Sequence, residues 1–183
     1  VNNLKNTRCY LSGAIENDAH LGRGWRDKVK SDLRQFEIQW MDPSRKPISI
    51  GLETPETAAN LKIDRANGRL DNITLAMRSI RAIDLRMVTI SDWLIACVDP
   101  AVPTFGTHEE ITLAVSQNKP IFVYIKGGAS SAPLWWFDML PFGSMSYHWQ
   151  AIYDKIMTIS NSDREHVSRN SDYRWLFFDW MGE

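Results

Sequence analysis

The chain has 183 residues, a length that fits one domain with a full hydrophobic core. With 44% hydrophobic and 23% charged residues it is neither disordered nor membrane-like, and no run approaches the roughly 18 apolar residues of a membrane span. A formal charge of -1 supplies no pull toward nucleic acid polymers or anionic lipid, so small neutral partners fit better.

The segment before residue 8 lacks the apolar run of a signal peptide, and Cys9 and Cys97 each fall inside an expected strand rather than in a ligand spacing. Both observations point to two buried thiols in a reducing cytoplasm. A first strand is predicted over 8–14, followed by a helix over about 24–36 in which Trp25, Val29, Leu33 and Phe36 recur at helical spacing. A second strand over 37–41 is stopped by Asp42-Pro43. Residues 44–60, with Pro47, Gly51, Thr54 and Pro55, read as a long loop, a lid or an oligomer arm. The pattern over 61–88 is helical with a break near Gly68, and Ile73, Met77, Ile80, Asp84 and Met87 share a face.

Trp93 to Val98 is a short apolar run between acids, as suits a parallel strand covered on both faces. Asp92 reads as the residue that ties down its start. Gly106-Thr107 then opens a helix, with Thr107 as its cap, Glu110 as the reciprocal capping-box acid, and Ile111, Ala114 and Val115 as its apolar stripe. A fourth strand is expected over 120–125, a flexible connection over 126–133, a helix over 149–159, and a last strand or packing segment over 173–180. Alternating strands and helices predict a single α/β doubly wound domain over the whole chain.

Such a sheet binds ligands beyond the carboxyl ends of its strands, where Glu110 sits in an early helical turn. Asp84 lies on an apolar helix face, Tyr10 in the first strand, Gly13 in the loop after it, and Asp99 at the carboxyl end of the third strand. Each has a plainer reading: a capping acid, a surface acid paired to Arg81 or Arg86, a core aromatic, a turn glycine, and a loop-starting Asp before Pro100. Glu109 is expected to point toward solvent. The histidines, His20, His108, His148 and His166, show no metal-ligand spacing, and no dinucleotide, phosphate-loop or nucleophile-elbow motif is present, so no metal or cofactor is expected.

The run Gly106-Thr-His-Glu-Glu110-Ile-Thr-Leu-Ala114, Asp84 ahead of the third strand, and Cys9-Tyr10-Leu-Ser-Gly13-Ala-Ile15 together resemble the nucleoside 2-deoxyribosyltransferase family in order and spacing from residue 8 to about 126. The resemblance implies a flavodoxin-like fold in a homo-oligomer, with Glu110 as the nucleophile, Tyr10 orienting it, and Asp84 contacting or protonating the base. It further implies substrate contacts from Gly13, Asp99, Thr104, Gly106 and Thr107, and a residue lent by a neighbouring subunit, for which Ser144 and Ser146 are candidates. The implied reaction transfers 2-deoxyribose from a deoxynucleoside to a free nucleobase. Hydrolysis of a nucleoside or its 5′-monophosphate is the alternative, and a catalytically silent nucleotide sensor is another.

Two positions depart from the family's pattern. Thr104 stands where the transferases often carry a base-binding Asp, and Glu16 stands where related monophosphate hydrolases carry a phosphate-binding Arg. The second departure favours free nucleosides unless Arg23 or Arg26 substitutes. The tryptophans concentrated in the last third, Trp135, Trp136, Trp149, Trp175 and Trp180, suggest an oligomer contact, with base stacking by Trp25 or Trp93 as a lesser reading.

Overall fold

A computed structural model describes residues 2–15, 22–141 and 143–162. Glu16, His20, His166, Trp175, Trp180 and the expected segment 173–180 lie outside the described residues. Five segments form strands, and the runs 93–98 and 121–125 are rich in the β-branched and aromatic residues that suit a pleated sheet. The strands are β1 (Arg8–Gly13), β2 (Gln39–Met41), β3 (Trp93–Val98), β4 (Ile121–Ile125) and β5 (Met145–Ser146). All pairings are parallel in the order β2-β1-β3-β4-β5, with Tyr10 opposite Leu94 and Ser12 opposite Ala96. This is the flavodoxin-like strand order.

Helices α1 (Arg23–Asp32), α3 (Leu70–Ile90), α4 (Phe105–Ser116), α5 (Trp136–Met139) and α6 (Trp149–Asn161) cover the two faces, while α2 (Pro55–Ala66) packs against α3. Because side chains alternate along a strand, each strand feeds two cores. Cys9, Leu11, Trp93, Ile95 and Phe122 pack against Val29, Leu33 and Phe36 and against Ile152, Ile156 and Ile159 of α6. On the other face Tyr10, Leu94, Ala96, Val98, Val123 and Ile125 pack against Val88 of α3, Ile111 and Ala114 of α4, and Trp136 and Leu140. Trp93 is a core residue, its indole donating to Thr7 Oγ1 at 3.0 Å, which rules out base stacking by it. Asp92 ties the start of β3 to β1, accepting from the Arg8 amide at 2.7 Å and its guanidinium at 2.9 Å.

Several expected boundaries move. The helix expected over 24–36 ends at Asp32 and continues as a 3₁₀ turn, Arg34–Phe36, closed by Glu37 in the left-handed region. The loop expected over 44–60 contains a 3₁₀ turn, Pro43–Arg45, and gives way to α2 at Pro55. Thr54 and Pro55 start that helix rather than oppose it. The Thr54 hydroxyl accepts the Thr57 amide at 3.1 Å, the Thr57 hydroxyl accepts the Thr54 amide at 2.7 Å, and proline's missing N–H costs nothing in a first turn.

Thr107 does not cap α4. The helix begins at Phe105, with Thr104 at the cap position and its carbonyl accepting the His108 amide at 3.1 Å, so Glu110 lies in the second turn and is no capping-box acid. On α3 the buried stripe is Ile80, Asp84 and Val88, and Met77 is exposed. The expected flexible connection holds a 3₁₀ turn, Ala129–Ser131, before α5 and β5.

One cation locks the base of this architecture. Lys119 is buried, and its ammonium donates to the carbonyls of Val88 at 2.5 Å, Thr89 at 2.6 Å and Ser91 at 2.5 Å at the end of α3, where the Val88 carbonyl also accepts the Ser91 amide and hydroxyl. Lys119→Met keeps the length of the side chain and removes the donors. It is expected to lower the unfolding free energy by about 2–4 kcal/mol, read by urea denaturation. A change within the scatter of a surface substitution would show that these carbonyls find other partners.

Candidate active site

Alternation along β1 sends Cys9 and Leu11 to one face and Tyr10 and Ser12 to the other, beneath α4. There the helix delivers Glu110, one residue before Ile111, which anchors α4 in the core. Tyr10 Oη donates to Glu110 Oε1 at 2.7 Å, and Ser12 Oγ donates to Oε2. All three side chains are buried. Burial is the largest influence on the Glu110 carboxyl and raises its pKa. The nearby Asp84 carboxylate adds to the rise, while the two hydroxyl donors and Arg26 oppose it, leaving a value of about 7. Burial and then the charge of Glu110 push the Tyr10 phenol well above its ordinary value, so it stays a neutral donor.

Asp84 is buried on the inner face of α3 and forms an ion pair at 2.7 Å with Lys46, not with Arg81 or Arg86. The Lys46 ammonium also donates to the Gly51 carbonyl at 2.5 Å. Gly51 adopts φ +68, and a Cβ there would come within 2.9 Å of Ile83 and 3.0 Å of the Ser79 carbonyl, so the loop closes on α3 only with glycine at this position. Burial raises the Asp84 pKa and the Lys46 bond opposes that rise.

Arg26 lies deeper, fully buried. It donates to the carbonyls of Leu11 at 3.3 Å, Gly13 at 2.9 Å and Gly22 at 3.0 Å, pairs with Asp42 at 3.6 Å and rests over the Trp25 ring at 4.6 Å. A guanidinium bound to three carbonyls holds the end of β1 in place, and it is not the solvent-facing phosphate ligand that the sequence allowed. Asp42 also accepts from Lys30 and from Ser44, whose hydroxyl lies at 2.7 Å.

The remaining expected residues divide. Gly13 ends β1, and a Cβ there would lie 2.8 Å from both the Cys97 carbonyl and the Trp25 ring, a packing reason for the glycine that needs no ligand. Thr104 and Thr107 are buried at the start of α4, and Gly106 is open, with nothing within 4 Å of an added Cβ. Asp99 sits just beyond β3 but is paired to Lys126 at 3.0 Å and to the Ala101 amide at 3.0 Å, which hold its carboxyl below the ordinary range. Glu109 is turned away to an ion pair with Arg81, as its offset from Glu110 requires. The His108 ring lies 4.9 Å from that of Trp136, and burial lowers its pKa. Ser144 is buried, and Ser146 lies in β5. Among the described residues, no group of three or more His, Cys, Asp or Glu side chains could hold a metal ion.

The structure therefore gathers Tyr10, Asp84 and Glu110 and adds two residues that sequence reasoning missed. Ser12 carried a usable signal, since in a strand it must share a face with Tyr10. Lys46 carried none, because nothing in a proline-flanked loop says that its lysine will turn inward onto Asp84.

The sheet and helices that carry this site are similar to those of solved structures. The 2-deoxyribosyltransferase from Bacillus psychrosaccharolyticus superposes with a TM-score of 0.52 at 16% identity, over 81% of this chain and 91% of that one. A 2-desoxiribosyltransferase from Leishmania mexicana gives 0.43 at 14% identity over 67% and 66%, and a conserved protein from Enterococcus faecalis V583 gives 0.44 at 16% over 67% and 65%. The chain thus spans just under two thirds of each of these last two. At such identities the likeness to the Bacillus enzyme is one of fold. No curated protein matches by sequence. The family model described as nucleoside 2-deoxyribosyltransferase matches residues 9–157, from β1 into α6. By that match the chain belongs to the nucleoside 2-deoxyribosyltransferase family.

Proposed function

We propose that the protein moves a 2-deoxyribosyl group from one nucleobase to another through a covalent glycosyl–Glu110 intermediate. The observation that carries this reading is the buried Glu110 carboxylate held by two hydroxyls from one strand. Glu110 attacks C1′ of a deoxynucleoside, and the electron pair of the breaking C1′–N bond leaves with the base. Asp84 acts here in its protonated form, which burial favours and Lys46 opposes: it gives that proton to the departing nitrogen and is left as the carboxylate that Lys46 binds. A second base then attacks C1′ and breaks the glycosyl ester, giving up its proton to Asp84, and Glu110 returns to the carboxylate. Water in place of the second base completes a hydrolysis with the same residues.

Free nucleosides are favoured over 5′-monophosphates by Glu16 at the place of the phosphate-binding Arg and by the engagement of Arg26 with backbone carbonyls inside the fold, which leaves Arg23 as the other basic candidate named for that role. Self-association is supported by Phe105, Leu134 and Trp135, which are 86%, 87% and 80% exposed, and by α2, none of whose residues is buried in its own subunit. Sedimentation at a multiple of 21.1 kDa is expected, and a monomer would remove this part of the proposal.

Purified protein given each deoxynucleoside together with a second free base is expected to form the exchanged nucleoside, resolved by chromatography, and Glu110→Gln is expected to form none. Free base without exchange would assign hydrolysis. Binding without any Glu110-dependent product, from nucleosides or their 5′-monophosphates, would leave a sensor.

The nucleophile acts when ionised, so kcat/KM is expected to climb tenfold per pH unit below an ascending limb at about pH 7. A limb near pH 4.5, the ordinary value for this group, would mean that Glu110 is not buried in solution.

The same shift sets a cost in stability. Between pH 4.5 and about 7 the folded protein keeps a proton on Glu110 that the unfolded chain has released. The stabilisation is complete below the lower value and is lost as pH rises to the upper one, on the order of 3 kcal/mol in all. Glu110→Gln cannot ionise, so its Tm is expected to exceed that of the unsubstituted protein at pH 8 and to match it at pH 4.5.

A further inference from the structure

We propose that Ser12 is a positioning residue for Glu110: its hydroxyl binds the carboxylate oxygen that Tyr10 leaves open, and so fixes the plane of the nucleophile and favours its ionised form. The proposal rests on the reading of Glu110 as the nucleophile.

A glutamate on a helix has three side-chain torsions to settle. A single donor, such as Tyr10 on Oε1, restrains one oxygen and leaves the carboxylate free to swing about it. A second donor on Oε2 removes that freedom. Because Tyr10 and Ser12 are two residues apart on a central strand, paired to β2 and β3, the spacing of the two donors is that of the strand itself. Preorganisation of this kind lowers the entropy lost in reaching the attack geometry.

The charge around Glu110 gives the second hydroxyl its other role. From α3 comes the Asp84 carboxylate, which opposes ionisation and is itself paired to Lys46. From α1 comes the Arg26 guanidinium, which favours ionisation but is shared with Asp42 and the backbone carbonyls. On α4 itself, Glu109 is neutralised by Arg81, and His108 is packed against Trp136 with its cationic form disfavoured. The hydroxyls of Tyr10 and Ser12 are the groups from β1 that bond the carboxylate directly. A donor to a carboxylate binds the anion more strongly than the ester formed from it. Ser12 therefore favours the charged form both before attack and as the leaving group when the second base takes the sugar.

The test reads Glu110 without requiring turnover. Full-length protein labelled with ¹³C at its glutamate carboxyl carbons is titrated by NMR, with the Glu110 resonance identified by its disappearance in Glu110→Gln. Ser12→Ala is expected to raise the Glu110 midpoint by about one pH unit, a shift of the size that a lost hydrogen bond to a buried carboxylate produces. Ser12→Thr, which keeps a hydroxyl, is expected to restore it. Ser12→Cys, of similar shape but a weaker donor, is expected to fall between and serves if the alanine variant proves unstable.

In the exchange assay the ascending limb of kcat/KM is expected to move with the NMR midpoint, so that Ser12→Ala loses about tenfold below the limb and recovers above it. A Glu110 midpoint unmoved in Ser12→Ala and Ser12→Cys would overturn the proposal. A midpoint that moves in a protein inactive on every nucleoside would support the bond and instead overturn the transfer reaction.

Discussion

A carboxylate removed from water must be solvated by the protein, and that requirement organises the carboxyl end of this sheet. Glu110 lies where the packing of Ile111 and Ala114 against the strands has excluded solvent. The donors that replace its water are fixed by elements with other structural duties. Tyr10 belongs to the core on that face, and Ser12 sits opposite Ala96 in a strand paired on both sides. Neither donor can follow the carboxylate if it moves, so the bonds are fixed in place and also incomplete as compensation. The raised pKa is what remains after the donors have acted.

Around this centre lies an unusual amount of buried charge, each member held by a specific partner. Arg26 spans the carbonyls at the end of β1 and reaches Asp42, and Asp42 joins Lys30 to the 3₁₀ turn through Ser44. Lys46 connects Asp84 on α3 to the carbonyl of Gly51. Removing one partner would leave the other uncompensated, so these links hold the loop after β2 against the helix that carries Asp84. The segment expected as a long loop, a lid or an oligomer arm, is thus tied down at one end by an ammonium and at the other by the Thr54–Thr57 cap.

The parts of this architecture legible in the sequence are those with a local cause. β3 was readable to the residue because an apolar run between two acids has few other meanings, and Tyr10, Asp84 and Glu110 stood on elements of clear pattern. The start of α4 was misplaced by a short interval because Thr107 has a capping side chain and Thr104, the true cap position, makes no side-chain cap bond. That error carried Glu110 into a capping box it does not occupy. β5 has two residues, too few for any periodicity, and its place is set by pairing with β4. Lys46 and Arg26 illustrate a different limit. A cation in a loop or a helix reads as surface until the fold shows carbonyls and carboxylates converging on it.

The alternation of β1 has a consequence for misfolding. Slipping this strand by one residue against its neighbours would turn Cys9 and Leu11 toward Glu110 and drive the Tyr10 phenol and the Ser12 hydroxyl into the apolar layer beneath α1 and α6. The carboxylate would lose both donors in the same event that spoils both cores. An intact clamp on Glu110 and correct pairing of β1 are therefore one condition here, and a chain that has mispaired this strand keeps neither donor in part.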